Sequence, residues 1–132
     1  MKADASFFRR YAQLLLVINI LILLWLVWTP SSFVDCEESP SLLDRPFCLP
    51  SWLIYAGNFM LLSPTAIFLK IIFPRQRLIV ISSEMLLLSC LIEGVQLFVP
   101  GRDPDLLDIL LNSMGAALAL CLFVEIQKMR TI

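Results

Sequence analysis

Four long apolar runs divide the chain: Ala12 to Trp28, Trp52 to Phe73, Leu78 to Val99 and Leu106 to Val124, each bounded by prolines or charged residues. Each approaches or exceeds the roughly 17 residues with which an α-helix crosses the hydrocarbon of a bilayer. None alternates apolar and polar positions as a strand does, and only helices or closed barrels satisfy every backbone group in lipid. The pattern therefore predicts an all-α integral membrane four-helix bundle forming a single domain over residues 1–132. Its spans lie at about 12–28, 52–73, 78–99 and 104–124, with an outer loop over 29–51. The first run follows Phe7-Phe8-Arg9-Arg10 and resembles a signal peptide. Leu14 to Trp28 is long for such a segment, and Thr29-Pro30-Ser31-Ser32-Phe33-Val34 offers no small-residue cleavage site, so a retained helix is expected.

Composition agrees. Of 132 residues, 59% are hydrophobic and 16% charged, against about 45–50% and roughly 25% in soluble domains. An ordinary soluble globule, a disordered tail and a nucleic-acid binder are excluded. The absence of histidine removes Ser-His-Asp and Cys-His catalysis and most zinc sites. No Cys-x-x-Cys spacing occurs, and neither a metal site nor a cofactor is expected.

Basic residues beside the spans orient a membrane protein. With the N-terminus inside, Lys2, Arg9, Arg10, Lys70, Arg75, Arg77, Lys128 and Arg130 face the cytoplasm, and only Arg45 and Arg102 lie outside. Both termini are thus expected to be cytoplasmic, as in a multi-pass protein of a bacterial inner membrane. Pro74 to Arg77 would then form a tight inner turn. Trp25, Trp28 and Trp52 fall where an outer aromatic belt would lie. The long loop Thr29 to Ser51 is acidic and carries prolines at 30, 40, 46 and 50, which disfavour a helix there. Cys36 and Cys48 share it; a disulfide between them is the expectation on an oxidising side, and two free surface thiols the alternative. Cys90 and Cys121, inside spans, read as small packing residues.

Polar side chains inside a bilayer are costly, so each is a functional candidate. In the third span Ser82, Ser89, Glu93 and Gln96 are spaced 7, 4 and 3 apart, along one helical face. In the fourth, Asp105, Asp108, Asn112, Gly115 and Ala119 make a second stripe, polar above and small below. At about 1.5 Å per residue, Glu93, Asn112 and Asn58 all lie on the order of 10–13 Å below the outer ends of their helices. They form a shelf beneath Gln96, Asp105 and Asp108, with Arg102 as the nearby cation. Asp103 is expected to cap the fourth helix, followed by Pro104 in its first turn. Near the inner face, Lys70 is expected to snorkel and Glu84 to pair with it or with Arg77. Asn19 is expected to hydrogen-bond a neighbouring helix, and Pro64 to kink the second span by freeing the carbonyl of Met60.

The array Glu93-Gly94-Val95-Gln96, then Arg102, Asp105, Asp108, Asn112 and Gly115, resembles the VanZ-like family pattern of E-x-x-Q, R, D-x-x-D-x-x-x-N-x-x-G across two consecutive helices. Asn58 to Pro64 resembles its upstream N-x-x-x-x-x-P element, and the likeness covers about residues 12–124. After Pro64 the chain departs from the family, with Thr65-Ala66 in place of an aromatic-glycine pair. The resemblance implies that Asn58, Glu93, Gln96, Arg102, Asp105, Asp108 and Asn112 are the characteristic polar positions. It also implies a place in the cell envelope, since the founding member is associated with low-level resistance to the glycopeptide teicoplanin.

Two functions compete. One is an accessory protein that binds or modifies an envelope lipid, lipid-linked sugar or lipoglycopeptide at the outer leaflet, with Arg102 on an anionic group and Glu93 or Asp108 handling a proton. The other is a small structural or assembly subunit of a larger membrane complex, its polar array serving as an internal lock. Expected partners are therefore membrane lipids and either a lipid-linked envelope intermediate or such a complex, with no nucleic acid. Carboxylates plus one arginine suit acid–base chemistry and passive recognition alike, so catalysis stays open.

Overall fold

The computed structural model describes residues 5–28, 34–35, 48–49, 51–100 and 104–129. The chain folds as helix α1 (Ala5–Trp28), two-residue strands β1 (Val34–Asp35) and β2 (Cys48–Leu49), and helices α2 (Ser51–Leu61), α3 (Ser63–Ile72), α4 (Leu78–Gln96) and α5 (Leu106–Met129). Four helical stretches are long and apolar enough to cross a membrane: Ser6–Trp28, Trp52–Ile72, Leu78–Gln96 and Leu106–Met129. The protein is a multi-pass membrane protein of all-helical architecture. Among the described residues its strands are confined to a parallel pairing of Val34 with Cys48 and Asp35 with Leu49 in the long loop. Cys36 lies outside the described residues, as does the side chain of Cys48, and with them the expected disulfide.

The first and last spans extend beyond the apolar runs. α1 begins at Ala5, where Phe7 and Tyr11 stack one turn apart with ring centroids 5.7 Å from each other. α5 continues to Met129, with Lys128 paired to Glu125 at 2.6 Å on its surface. Such exposed pairs contribute only a few tenths of a kcal/mol. The second span is interrupted as Pro64 requires. α2 ends at Leu61, Leu62 forms a turn, and α3 restarts with proline in its first turn, where a missing N–H is harmless.

α5 is the central helix, packed against α2, α3 and α4, while α1 docks on α3 and more lightly on α4. Leu23 and Val27 of α1, Leu62, Ala66 of α3, Ile81, Met85 and Ile92 of α4, and Ala116 and Leu120 of α5 form one buried cluster. The outward surface is apolar too: Trp25, Trp28 and Trp52 are all exposed, at the same end of the bundle. Burial here marks contact between helices rather than escape from water, so close packing and interhelical hydrogen bonds hold the spans together. The closest approach is at Gly115, where an added Cβ would sit 1.6 Å from the backbone oxygen of Phe59.

Asn19 meets the expectation placed on it, because Thr65 Oγ1 donates to Asn19 Oδ1 at 2.6 Å and ties α3 to α1. Thr65 and Ala66, the pair that departs from the family pattern, are both buried in this joint. Two local expectations need correction. Glu84 accepts a hydrogen bond from Gln76 Nε2 at 2.6 Å instead of pairing with Lys70 or Arg77. The Lys70 ammonium reaches the turn after α3 and donates to the carbonyls of Pro74 and Gln76 at 2.9 and 2.7 Å, a cation closing a helix C-terminus. Cys90 and Cys121 are exposed on the bundle surface rather than packed within it.

Candidate functional site

The polar residues gather where α5 begins. Helix α5 is capped by Asp105, whose Oδ1 accepts the Leu107 amide at 2.8 Å while its carbonyl accepts the Asp108 amide at 3.1 Å. Asp105 thus holds a cap position, with Pro104 before it; Asp103, the expected cap, lies outside the described residues. Short acidic side chains suit this position because they satisfy amides that have no partner inside the helix.

The Asp105 amide itself donates to Glu93 Oε2 at 3.1 Å. In a capping box that second bond comes from a residue of the same helix; here α4 supplies it across the connection between the two spans. Glu93 is 5% exposed. Its place one turn before the end of α4 puts a carboxylate against the positive end of α5.

Asp108, in the first turn of α5, accepts a hydrogen bond from Asn58 Nδ2 of α2. The helix dipole favours its charge there, and the bond joins a third helix to the cluster. Gln96 is buried on α4 one turn beyond Glu93. One turn below Asp108, Asn112 is 1% exposed and donates through Nδ2 to Ser89 Oγ of α4 at 3.1 Å. Its Oδ1 is buried without a hydrogen-bond partner among the described residues.

Asn58, Glu93, Asp105, Asp108 and Asn112 are thus brought around one helix terminus by hydrogen bonds, with Gln96 on the same face of α4. Arg102 lies outside the described residues. Sequence reasoning underused Ser89, whose stripe position alone hinted at the Asn112 partnership. It also missed the approach of the Phe59 carbonyl to Gly115, which no residue type signals. Of the lower stripe, Gly115 is buried and Ala119 only half-buried.

Just below the cluster, a groove of about 440 Å³ runs between α2/α3 and α5, lined by Phe59, Pro64, Phe68, Gly115, Ala119 and Leu122 among others. Phe59 adjoins Asn58, and Gly115 lies one turn beyond Asn112, so polar cluster and apolar groove are neighbours. The pair presents hydrogen-bonding groups at one end and hydrocarbon surface at the other.

No curated protein and no solved structure matches the chain. The sequence profile of the VanZ/LLP1 family matches residues 14–127, a stretch that contains most of the first span, the other three nearly whole and every polar residue of the cluster. The chain belongs to the VanZ/LLP1 family.

Proposed function

We propose that this protein is a membrane accessory protein that binds or modifies an amphiphilic envelope component, a lipid, a lipid-linked sugar or a lipoglycopeptide, at the outer leaflet. The supporting observation is the contiguity of the polar cluster at the start of α5 with the apolar groove between α2/α3 and α5. A hydrocarbon chain fits the groove, and a phosphate, sugar or amide headgroup meets the acids and amides above it. Asn112 Oδ1 is a buried acceptor without a partner among the described residues, and a headgroup would reach it only where the helices part. Arg102, which the sequence places in the connection between α4 and α5, is the cation this reading assigns to an anionic group. Teicoplanin resistance, the property associated with the founding member of the resembled family, fits a protein that engages lipoglycopeptides or the lipid-linked cell-wall intermediates they bind.

A structural subunit is the second reading, favoured by the way the same hydrogen bonds join α2, α4 and α5 to one another. Purification from native membranes in mild detergent, followed by native mass spectrometry, separates the two. The expected result is a lipid with a phosphate or sugar headgroup retained by the wild type and lost in Glu93→Gln and Arg102→Ala. The side-chain amide introduced by Glu93→Gln keeps an oxygen for the Asp105 amide, so the melting temperature of that variant should stay near that of the wild type. Stoichiometric association with a large complex and no retained lipid would establish the subunit reading instead.

A further inference from the structure

At the opposite end of the helices, the first turns of α1 and the turn between α3 and α4 border a second groove, of about 1020 Å³. Arg9, Arg75, Gln76 and Glu84 line it together with the apolar Ile72 and Phe73. Glu84, the one carboxylate among its described lining residues, is hydrogen-bonded to Gln76. The Lys70 ammonium beside it is occupied by the carbonyls of Pro74 and Gln76. The only ion pair among the described residues is Lys128 with Glu125 at the far end of α5, so neither Arg9 nor Arg75 has a carboxylate partner there. Two guanidinium groups from separate elements thus face one cavity whose wall is partly hydrocarbon.

We propose that this groove holds the headgroup of an anionic phospholipid, with Arg9 and Arg75 on its phosphate and the adjoining acyl chains against Ile72 and Phe73. Guanidinium groups match phosphate oxygens in a two-pronged geometry. Basic pockets between membrane helices recruit acidic lipids in this way. Phe7 and Phe8, exposed beside Arg9, provide aromatic anchoring at the headgroup level. Glu84 does not oppose the assignment, because it lies on α4 with its carboxylate engaged by Gln76, and among the described lining residues one acid stands against two arginines. This inference is independent of the function proposed for the polar cluster, from which it is separated by the length of the helices.

The test uses the full chain in detergent, titrated with phosphatidylglycerol or with phosphatidylcholine of identical acyl chains and read by native mass spectrometry. The wild type should retain phosphatidylglycerol about tenfold more strongly, the scale expected of one to two basic residues facing an acidic lipid. The double variant Arg9→Gln/Arg75→Gln should lose that preference at an unchanged melting temperature. Arg77→Gln, at a turn residue that does not line the groove, should keep it. Equal retention of the two lipids by the wild type, or an undiminished preference in the double variant, would overturn the assignment. Binding of inorganic phosphate by the wild type together with no preference between the two lipids would overturn it as well, in favour of a site for the free anion.

Discussion

Asn112 and Gly115, one turn apart on α5, illustrate opposite demands on single residues. Asn112 is buried with one amide donor used and its oxygen unpartnered among the described residues, an arrangement that costs stability unless something else meets that oxygen. Asn112→Leu, of similar volume, removes one interhelical bond, on average about 0.6 kcal/mol in a membrane, and also removes the unpaired carbonyl. The released Ser89 hydroxyl can turn back to the carbonyl one turn earlier, as Ser83 and Ser113 do toward Ile79 and Ile109. The variant should melt at or above the wild-type temperature and lose retained lipid; a lower melting temperature with full lipid retention would assign Asn112 to packing. Gly115→Ala should lower stability by roughly 3 kcal/mol, since a methyl group there collides with backbone rather than with a side chain that could move. Gly94→Ala is the matched control: nothing lies within 4 Å of its added carbon, and the gain in helix propensity should raise stability by up to about 1 kcal/mol. Thermal melting of both variants in one detergent reads the difference. The glycine's position in a small-residue stripe was legible in the sequence. That its neighbour would be the Phe59 carbonyl was not, because backbone proximity between two helices leaves no mark on either residue type.

At the scale of elements, hydropathy located the spans and Pro64 located the break between α2 and α3, since both follow from local backbone chemistry. The packing order was not legible. Every span is apolar all round, so periodicity cannot tell a helix-facing side from a lipid-facing one, and polar or small residues are the only marks of an interface. α1 shows the consequence: its large side chains are mostly exposed, and the bond between Thr65 and Asn19 is its described polar tie to α3. Three acids within six residues, Asp103, Asp105 and Asp108, all suit a helix start, so the sequence did not single out Asp105, whose capping bond is joined by a tertiary contact with Glu93. For the α1–α3 joint, a double-mutant cycle of Asn19→Ala and Thr65→Ala should give a coupling of about 0.6 kcal/mol and at most roughly 1.7, the range for hydrogen bonds between membrane helices. Additive losses in the cycle would mean that packing alone docks α1.

Across the whole molecule, the polar cluster and the basic groove occupy opposite ends of the spans, and so their roles depend on which end faces out. Four spans return the chain to the side on which it began, and in the sequence eight of its ten basic residues flank the span ends next to the termini and the α3–α4 turn. The positive-inside rule then predicts that both termini are cytoplasmic, which would set the Arg9–Arg75 groove at the inner leaflet, where acidic lipids attract basic residues, and the polar cluster at the outer leaflet. A phosphatase active only outside the cytoplasm should be silent when fused after Ile132 and active when inserted between residues 36 and 47. A fluorescent reporter that matures only in the cytoplasm should show the reverse. Phosphatase activity at Ile132 with silence in the loop would invert the molecule. The amphiphile proposed for the polar cluster would then have to come from the cytoplasmic leaflet, and a cell-wall intermediate or glycopeptide exposed outside could not reach it.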